Sequence, residues 1–237
     1  SRTCHYPSVL FLKSFQRPKY LSCLVYPARH ELKRDLARRY LQCQIFASAL
    51  ELFKELEMWD EVITCYQLMS KPYKAEQVVR QELKRLETPQ MLTILGELTA
   101  EEEPLEKAWV LSQHRYARAR RSLARIAFDK GKLKLGCDYL RDALRIQPLN
   151  SSAWYLLGVN CMRLDDLDEA LVAFQRCIQQ DTEIGEAWGN IGAIYMHRSK
   201  PLHALSALEE AFKHKRQSWT VLENILTCCM QANHHRR

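Results

Sequence analysis

Apolar residues along this chain fall mostly at helical spacing, as at Ala49, Leu50, Phe53 and Leu56, and no stretch shows the alternation of a strand. In the C-terminal half the same order of apolar and small residues returns after 34 residues: Trp154 as Trp188, Leu157 as Ile191, Gly158 as Gly192, Ala170 as Ala204, Phe174 as Leu208, Cys177 as Ala211. One interval earlier it reads Leu123, Ala124, Gly136, Leu140 and Ala143, and closes on Pro148, where a second helix should stop. Each interval predicts two antiparallel helices. Small residues at its eighth and twentieth places (Gly158 and Ala170, Gly192 and Ala204) let them approach at the short end of the range of about 8 to 10 Å between helix axes. Trp154, Leu157 and Phe174 in one unit, and Trp188 and Tyr195 in the next, fill the space around that contact. Asp165 and Asp166 form the turn, and Asn150, Ser151 and Ser152 cap the next pair.

That length, with its order of Trp, Leu-Gly, Tyr, Ala, Phe and Pro, resembles the tetratricopeptide repeat. The resemblance implies an all-α, right-handed superhelical solenoid of antiparallel helix pairs, because one hairpin cannot bury its apolar face alone. Residues 117–218 read as three well-formed repeats and residues 219–237 as a terminal helix, begun by Trp219 and Leu222, with a polar tail. Residues 30–116 read as degenerate hairpins: 30–55 on Ala37, Tyr40, Ala49 and Phe53; 56–88 on Trp59, Tyr66, Ala75 and Val79; and a shortened 89–116 on Leu92, Leu95, Gly96 and Ala108.

Residues 1–29 stand outside the pattern. Pro7, Pro18 and Pro27 break them, they hold no Asp or Glu, and the apolar runs at 9–12 and 21–26 are too short to span a membrane. The prolines also spoil the amphipathic helix of a transit peptide, so the segment reads as a docking element or the remnant of a preceding region. A start at Ser1 without Met leads to the expectation of a piece of a longer chain.

The net charge of +7 is unevenly spread. Residues 115–145 carry ten Lys or Arg against three Asp, whereas 164–186 hold Asp165, Asp166, Asp168, Glu169, Asp181, Glu183 and Glu186 against Arg176. Either adjoining repeats complement each other, or the basic sector is a docking field for an acidic partner. The nine cysteines include no Cys-x-x-Cys pair, and Cys161 and Cys177 take core places of the repeat. Their odd count and lack of framework point to a reducing compartment, cytosol or nucleus. No Gly-rich phosphate loop, metal-spaced ligand set or nucleophile motif occurs, so neither catalysis, a cofactor nor a small-molecule substrate is expected.

In the repeat family the first helix of each hairpin lines a concave groove. Carried to this register, the resemblance puts Arg118, Arg121 and Arg125 there, and their i, i+3, i+7 spacing sets all three on one helical face. Guanidiniums so placed repel one another unless an anion sits among them. That anion is either an acidic or phosphorylated segment of a partner protein, or an internal set from Glu101, Glu102, Glu103 and Glu106. Further along, the groove reads Tyr155, Val159 and Met162, then Gly189, Asn190, Ala193 and Met196, a surface that either accepts an apolar side chain or packs on neighbouring first helices. The chaperone-tail clamp of some family members needs Asn where this chain has Arg125 and Leu156, so that clamp is absent. The alternative partner is RNA; since Arg121, Tyr155 and Gly189 differ from repeat to repeat, it would be held weakly, through its backbone and without sequence preference.

Two blocks are more particular: SALELFKELEMWDEVITCY at 48–66 and KAWVLSQHRYARARRS at 107–122. They resemble the tetratricopeptide repeat protein 27 family and its fungal relatives named for maintenance of the cell wall, a likeness covering about residues 25–235. It implies a non-enzymatic scaffold of cytoplasm or nucleus, with a long N-terminal region beyond this chain and a part in assembling the U5 spliceosomal particle.

Overall fold

The computed structural model describes residues 28–234, which contain thirteen α-helices and no strand. Most of the basic, proline-broken segment expected at 1–29 and the last three residues of the polar tail lie outside the described residues. The chain divides into two compact units, the first ending at Val78 and the second beginning at Val79.

The first unit holds α1 (Arg29–Gln42), α2 (Phe46–Glu55) and α3 (Trp59–Leu68), and α4 (Pro72–Arg85) begins in it. Its core is Ala37, Ala49, Phe53, Val62 and Cys65, all without solvent exposure, with Tyr40, Leu50, Trp59 and Tyr66 packed around them. Ala37 and Ala49 are the small residues that let α1 and α2 close on each other, and Lys33 pairs with Glu55 across the same two helices.

The second unit contains α5 (Pro89–Thr99), α6 (Glu102–Leu111), α7 (Ala117–Asp129), α8 (Leu133–Ile146), α9 (Ser151–Arg163), α10 (Leu167–Gln180), α11 (Gly185–His197), α12 (Pro201–His214) and α13 (Trp219–His234). Each helix packs on its chain neighbours, so α5/α6, α7/α8, α9/α10 and α11/α12 are the hairpins and α13 stands on the last of them. Leu157, Gly158, Ala170, Phe174, Gly192 and Ala204 are buried, and Trp154, Trp188 and Tyr195 are half-buried against them. Cys137 and Cys161 meet in the same core with their sulfurs 3.9 Å apart. The tryptophans also fix the link between repeats: the Trp154 indole Nε1 donates to the Pro148 carbonyl at 2.8 Å and Trp188 Nε1 to the Thr182 carbonyl at 3.2 Å, each six residues back.

The turns inside the hairpins repeat as well. After α7 the amide of Lys132 donates to the Ala127 carbonyl at 2.8 Å and that of Gly131 to Phe128 at 3.0 Å. Asp166 and Asp165 do the same to Cys161 and Met162 after α9, and Lys200 and Ser199 to Tyr195 and Met196 after α11. This is the Schellman closure, which satisfies the last carbonyls of a helix through one left-handed residue. That residue is Gly131, Asp165 and Ser199 in turn, with φ of 73°, 64° and 53°. Side chains cap the following helices where the chain supplies them: Asn150 accepts from the Ala153 amide at 2.8 Å and Asp166 from the Glu169 amide at 3.1 Å.

Candidate functional site

Helix α7 carries two kinds of arginine. Its inner face buries Ala119, Leu123, Ala124, Ile126 and Ala127, and the i, i+3, i+7 spacing turns Arg118, Arg121 and Arg125 together to one side of that stripe. Arg120 points elsewhere. Its guanidinium lies 4.6 Å from the Trp109 ring and 4.7 Å from the Tyr139 ring, and donates to Glu106 at 3.2 Å, which makes it a packing element between hairpins.

Arg118 grips Glu97 of α5 with both edges of a fork: Nε donates to Oε1 at 3.1 Å and Nη2 to Oε2 at 2.8 Å. Ser122, one turn on, donates its hydroxyl to the same Oε1 at 2.6 Å. Burial pushes the Glu97 carboxyl up, but the hydrogen bonds from Arg118 and Ser122 and the charges of Arg118 and Arg125 outweigh it and hold the group below the usual carboxylate range. Arg121 and Arg125 have no carboxylate within ion-pair distance among the described residues, and the Arg121 Nε is buried without a hydrogen-bond partner.

These side chains wall a cleft of about 270 Å³ between α5, α7 and α9. Leu140, Ala153 and Leu156 supply its apolar surface, and Asn150 and Ser152 stand where α9 begins. The structure therefore brings the three arginines together in one concavity. Tyr155, Val159 and Met162 do not line it. They are half-buried along α9, where they pack on the hydrophobic core, and the Tyr155 ring meets Phe174 edge-on at 5.8 Å. Asn190 and Met196 are half-buried on α11, and Gly189 beside them faces open space.

Three of the four internal acids expected for the ladder are engaged elsewhere, and Glu101 makes no ion pair with it. Glu102 pairs with Lys130 at 2.7 Å, Glu103 with Lys107 at 2.7 Å and Glu106 with Arg120. Glu97, unremarked in the sequence, takes Arg118 instead. The uneven charge is answered between repeats: Arg141 forks onto Glu169 at 2.9 and 2.5 Å, Arg198 reaches Asp168 at 2.6 Å, and Lys215 pairs with Glu186. Complementary neighbours thus account for part of both sectors, and Arg121 and Arg125 are among the cations left over. A second, larger cleft of about 440 Å³ beside Leu92, Val110 and Leu111 has Glu103 and Glu106 on its rim, both already paired. Among the described residues no three His, Cys, Asp or Glu gather as a metal site, and no helix is long and apolar enough to cross a membrane.

The tetratricopeptide repeat family matches residues 151–183. The chain is similar to the tetratricopeptide repeat protein 27 homolog of Dictyostelium discoideum, with 42% identity over 205 residues, which is 86% of this chain and 24% of that protein. It is also similar to the Essential for maintenance of the cell wall protein 1 of Saccharomyces cerevisiae, with 27% identity across 96% of this chain and 26% of the relative. The chain spans about a quarter of the length of the curated relatives it matches. Among solved structures, MamA superposes with a TM-score of 0.59 at 20% identity, covering 64% of this chain and 93% of that one, a likeness of fold alone.

Proposed function

Because the chain belongs to the tetratricopeptide repeat proteins, with a tetratricopeptide repeat protein 27 homolog among its relatives, we propose that it is a non-enzymatic interaction scaffold whose cleft receives an acidic or phosphorylated segment of a partner protein. The observation that carries this reading is the pair Arg121 and Arg125, two guanidiniums facing a preformed concavity with no carboxylate within ion-pair distance among the described residues. Such groups match planar anions by paired hydrogen bonds, and a cleft already built loses little entropy on being filled. Tyr155, Val159 and Met162 on α9, with Asn190 and Met196 on α11, extend the same reading as a wall for an apolar side chain of the bound segment. Family resemblance extends it further, to assembly of a ribonucleoprotein, the U5 spliceosomal particle, and to work in the cytoplasm and nucleus. No catalytic residue, metal, cofactor, small-molecule substrate or membrane enters the reading.

The test is recovery of partners from cell extract by this chain and by the double variant Arg121→Glu, Arg125→Glu, with mass spectrometry to identify them and a circular dichroism melt of each protein. The expected result is loss of a defined set of proteins at an unchanged melt, with a synthetic acidic or phosphorylated peptide from one of them competing for the wild type. Identical sets from both proteins overturn the cleft as the site. The net charge of +7 favours RNA as the rival ligand. Binding to RNA that falls steeply with salt and ignores sequence, together with no lost protein, replaces the proposal with that one.

A further inference from the structure

The cleft contains three arginines and one carboxylate of its own, and that carboxylate is unusually well held. Glu97 is 17% exposed, takes two hydrogen bonds from Arg118 and one from Ser122, and so uses the forked edge of the first guanidinium in the ladder. Three positive charges less one leave two. Both belong to Arg121 and Arg125, which lie one helical turn apart, about 5 to 6 Å between Cβ atoms, and look into the same space.

We infer that Glu97 sets the specificity of this cleft: by occupying Arg118 it leaves a clamp for one dianionic phosphate monoester, a phosphoserine or phosphothreonine of the partner segment, and turns away runs of carboxylates that would need all three arginines. The inference rests on the reading of the cleft as a partner site and refines what it accepts. A phosphate monoester carries a charge of about −1.5 to −2 at neutral pH and three acceptor oxygens, which matches two guanidiniums that make no ion pair, whereas one Asp or Glu brings a single charge. A run of neighbouring carboxylates would set one of them against Glu97, where like charges repel. The volume of about 270 Å³ holds one such side chain rather than a folded surface. A nucleic-acid backbone offers monoanionic diesters in series and meets the same obstacle at Glu97.

Fluorescence anisotropy with labelled peptides of about ten residues tests this directly, in a Gly and Ala background bearing one phosphoserine, one Asp, or three consecutive Asp. For the wild type the phosphoserine peptide is expected to bind about tenfold more tightly than either Asp peptide, the factor that corresponds to about 1.4 kcal/mol. Glu97→Gln frees Arg118 and is expected to raise affinity for the triple-Asp peptide about tenfold, so that the preference collapses. Arg118→Gln works the other way: it leaves Glu97 unneutralised beside the clamp and is expected to weaken the phosphoserine peptide by several-fold. This second variant keeps the test decisive if Glu97→Gln fails to fold, which a melt reveals. If neither variant moves the ratio of phosphoserine to triple-Asp binding, Glu97 is a structural anchor and the inference falls while the cleft survives. If Arg121→Glu, Arg125→Glu binds the phosphopeptide like the wild type, the cleft reading falls as well. Inorganic phosphate should displace the peptide only at concentrations far above the peptide's dissociation constant; displacement at equal concentration makes free phosphate the ligand and overturns the peptide assignment. Oligouridine that outcompetes the phosphopeptide does the same in favour of RNA.

Discussion

A carbon built as Cβ on Gly158 would stand 2.7 Å from Cε1 of Phe174, nearer than side chains ever approach. The next repeat has the same contact between Gly192 and Leu208, at 2.6 Å, so the absence of one carbon sets the spacing within both hairpins. Gly158→Ala should cost about 1 to 3 kcal/mol, because Phe174 is fully buried and has nowhere to move. Gly189→Ala, where nothing lies within 4 Å, should instead gain about 0.5 to 1 kcal/mol from helix propensity. Urea unfolding of the two variants gives the comparison, and shifts of the same sign would sink this account of the packing.

The left-handed turn residues make a second pair of opposites. Ser199 sits at φ 53° with a Cβ that this conformation disfavours, so Ser199→Gly should stabilise by about 1 kcal/mol. Gly131→Ala, at φ 73° and with no neighbour to clash, should lose a similar amount of about 1 kcal/mol through the backbone alone. Thermal melts of both variants measure this, and a neutral Gly131→Ala would count against the backbone explanation.

Within the arginine ladder the structure separates anchors from free charges. Arg118→Ala removes both hydrogen bonds to a largely buried carboxylate and should cost about 1 kcal/mol, a figure kept low because Arg118 itself is 43% exposed. Arg125→Ala should stay within about 0.5 kcal/mol of the wild type. Equal losses in denaturant titration would show that the two arginines are structurally alike.

Acid should loosen the second unit through identifiable groups. The Glu102, Glu169 and Glu186 carboxyls are each lowered, chiefly by the hydrogen bonds from Lys130, Arg141 and Lys215, and Glu97 is lowered once Arg118 and Ser122 outweigh its burial. A folded-state pKa below the unfolded one contributes stability that is present above the unfolded value. It should therefore be complete above about pH 5, begin to fall near the ordinary carboxylate pKa of about 4.3, and be gone once the depressed folded values are passed. Melting temperatures taken from pH 7 to pH 3 should trace that decline, and Glu97→Gln should make it shallower. A variant curve that runs parallel to the wild type would remove Glu97 from the explanation.

Thiol chemistry should divide the cysteines by position. Cys43 and Cys229 are exposed, whereas Cys65, Cys137, Cys161, Cys177 and Cys228 are buried. Burial also pushes the thiols of Cys65 and Cys228 up, and that of Cys177 to about 11. Brief alkylation of the native protein, followed by peptide mapping, should label Cys43 and Cys229 and leave those five untouched until denaturant is added. The adjacent Cys228 and Cys229 provide the sharpest contrast, since only their helical faces differ.

Much of the fold is legible because a close helix approach is a steric demand on residue type. Gly158, Gly192, Ala170 and Ala204 announce the hairpins simply by being small at a fixed interval. The indole bonds of Trp154 and Trp188 are not legible, since their acceptors are backbone carbonyls and leave no mark on side-chain identity. The common face of Arg118, Arg121 and Arg125 follows from helical geometry, but the acid among them does not. Glu101, Glu102, Glu103 and Glu106 are closer in the chain, and the last three lie on α6, a second helix, whose charges meet Lys107, Arg120 and Lys130. Glu97 lies on α5, a first helix like α7, and the shortened hairpin between them hides that equivalence from any count of 34. The half-burial of Tyr155, Val159 and Met162 likewise depends on how α9 is rolled against its neighbours, which spacing alone does not fix.

Packing between chain neighbours has a dynamic consequence for the second unit. Among the described residues α9 and α10 are packed by chain neighbours on both sides, so their amide hydrogens should be among the slowest of this unit to exchange. In an array coupled link by link, a weakened middle uncouples its two halves. Overpacking at Gly158 would then do more than lower a midpoint: it would break one concerted melt into two, the way a zip parts on both sides of a damaged tooth.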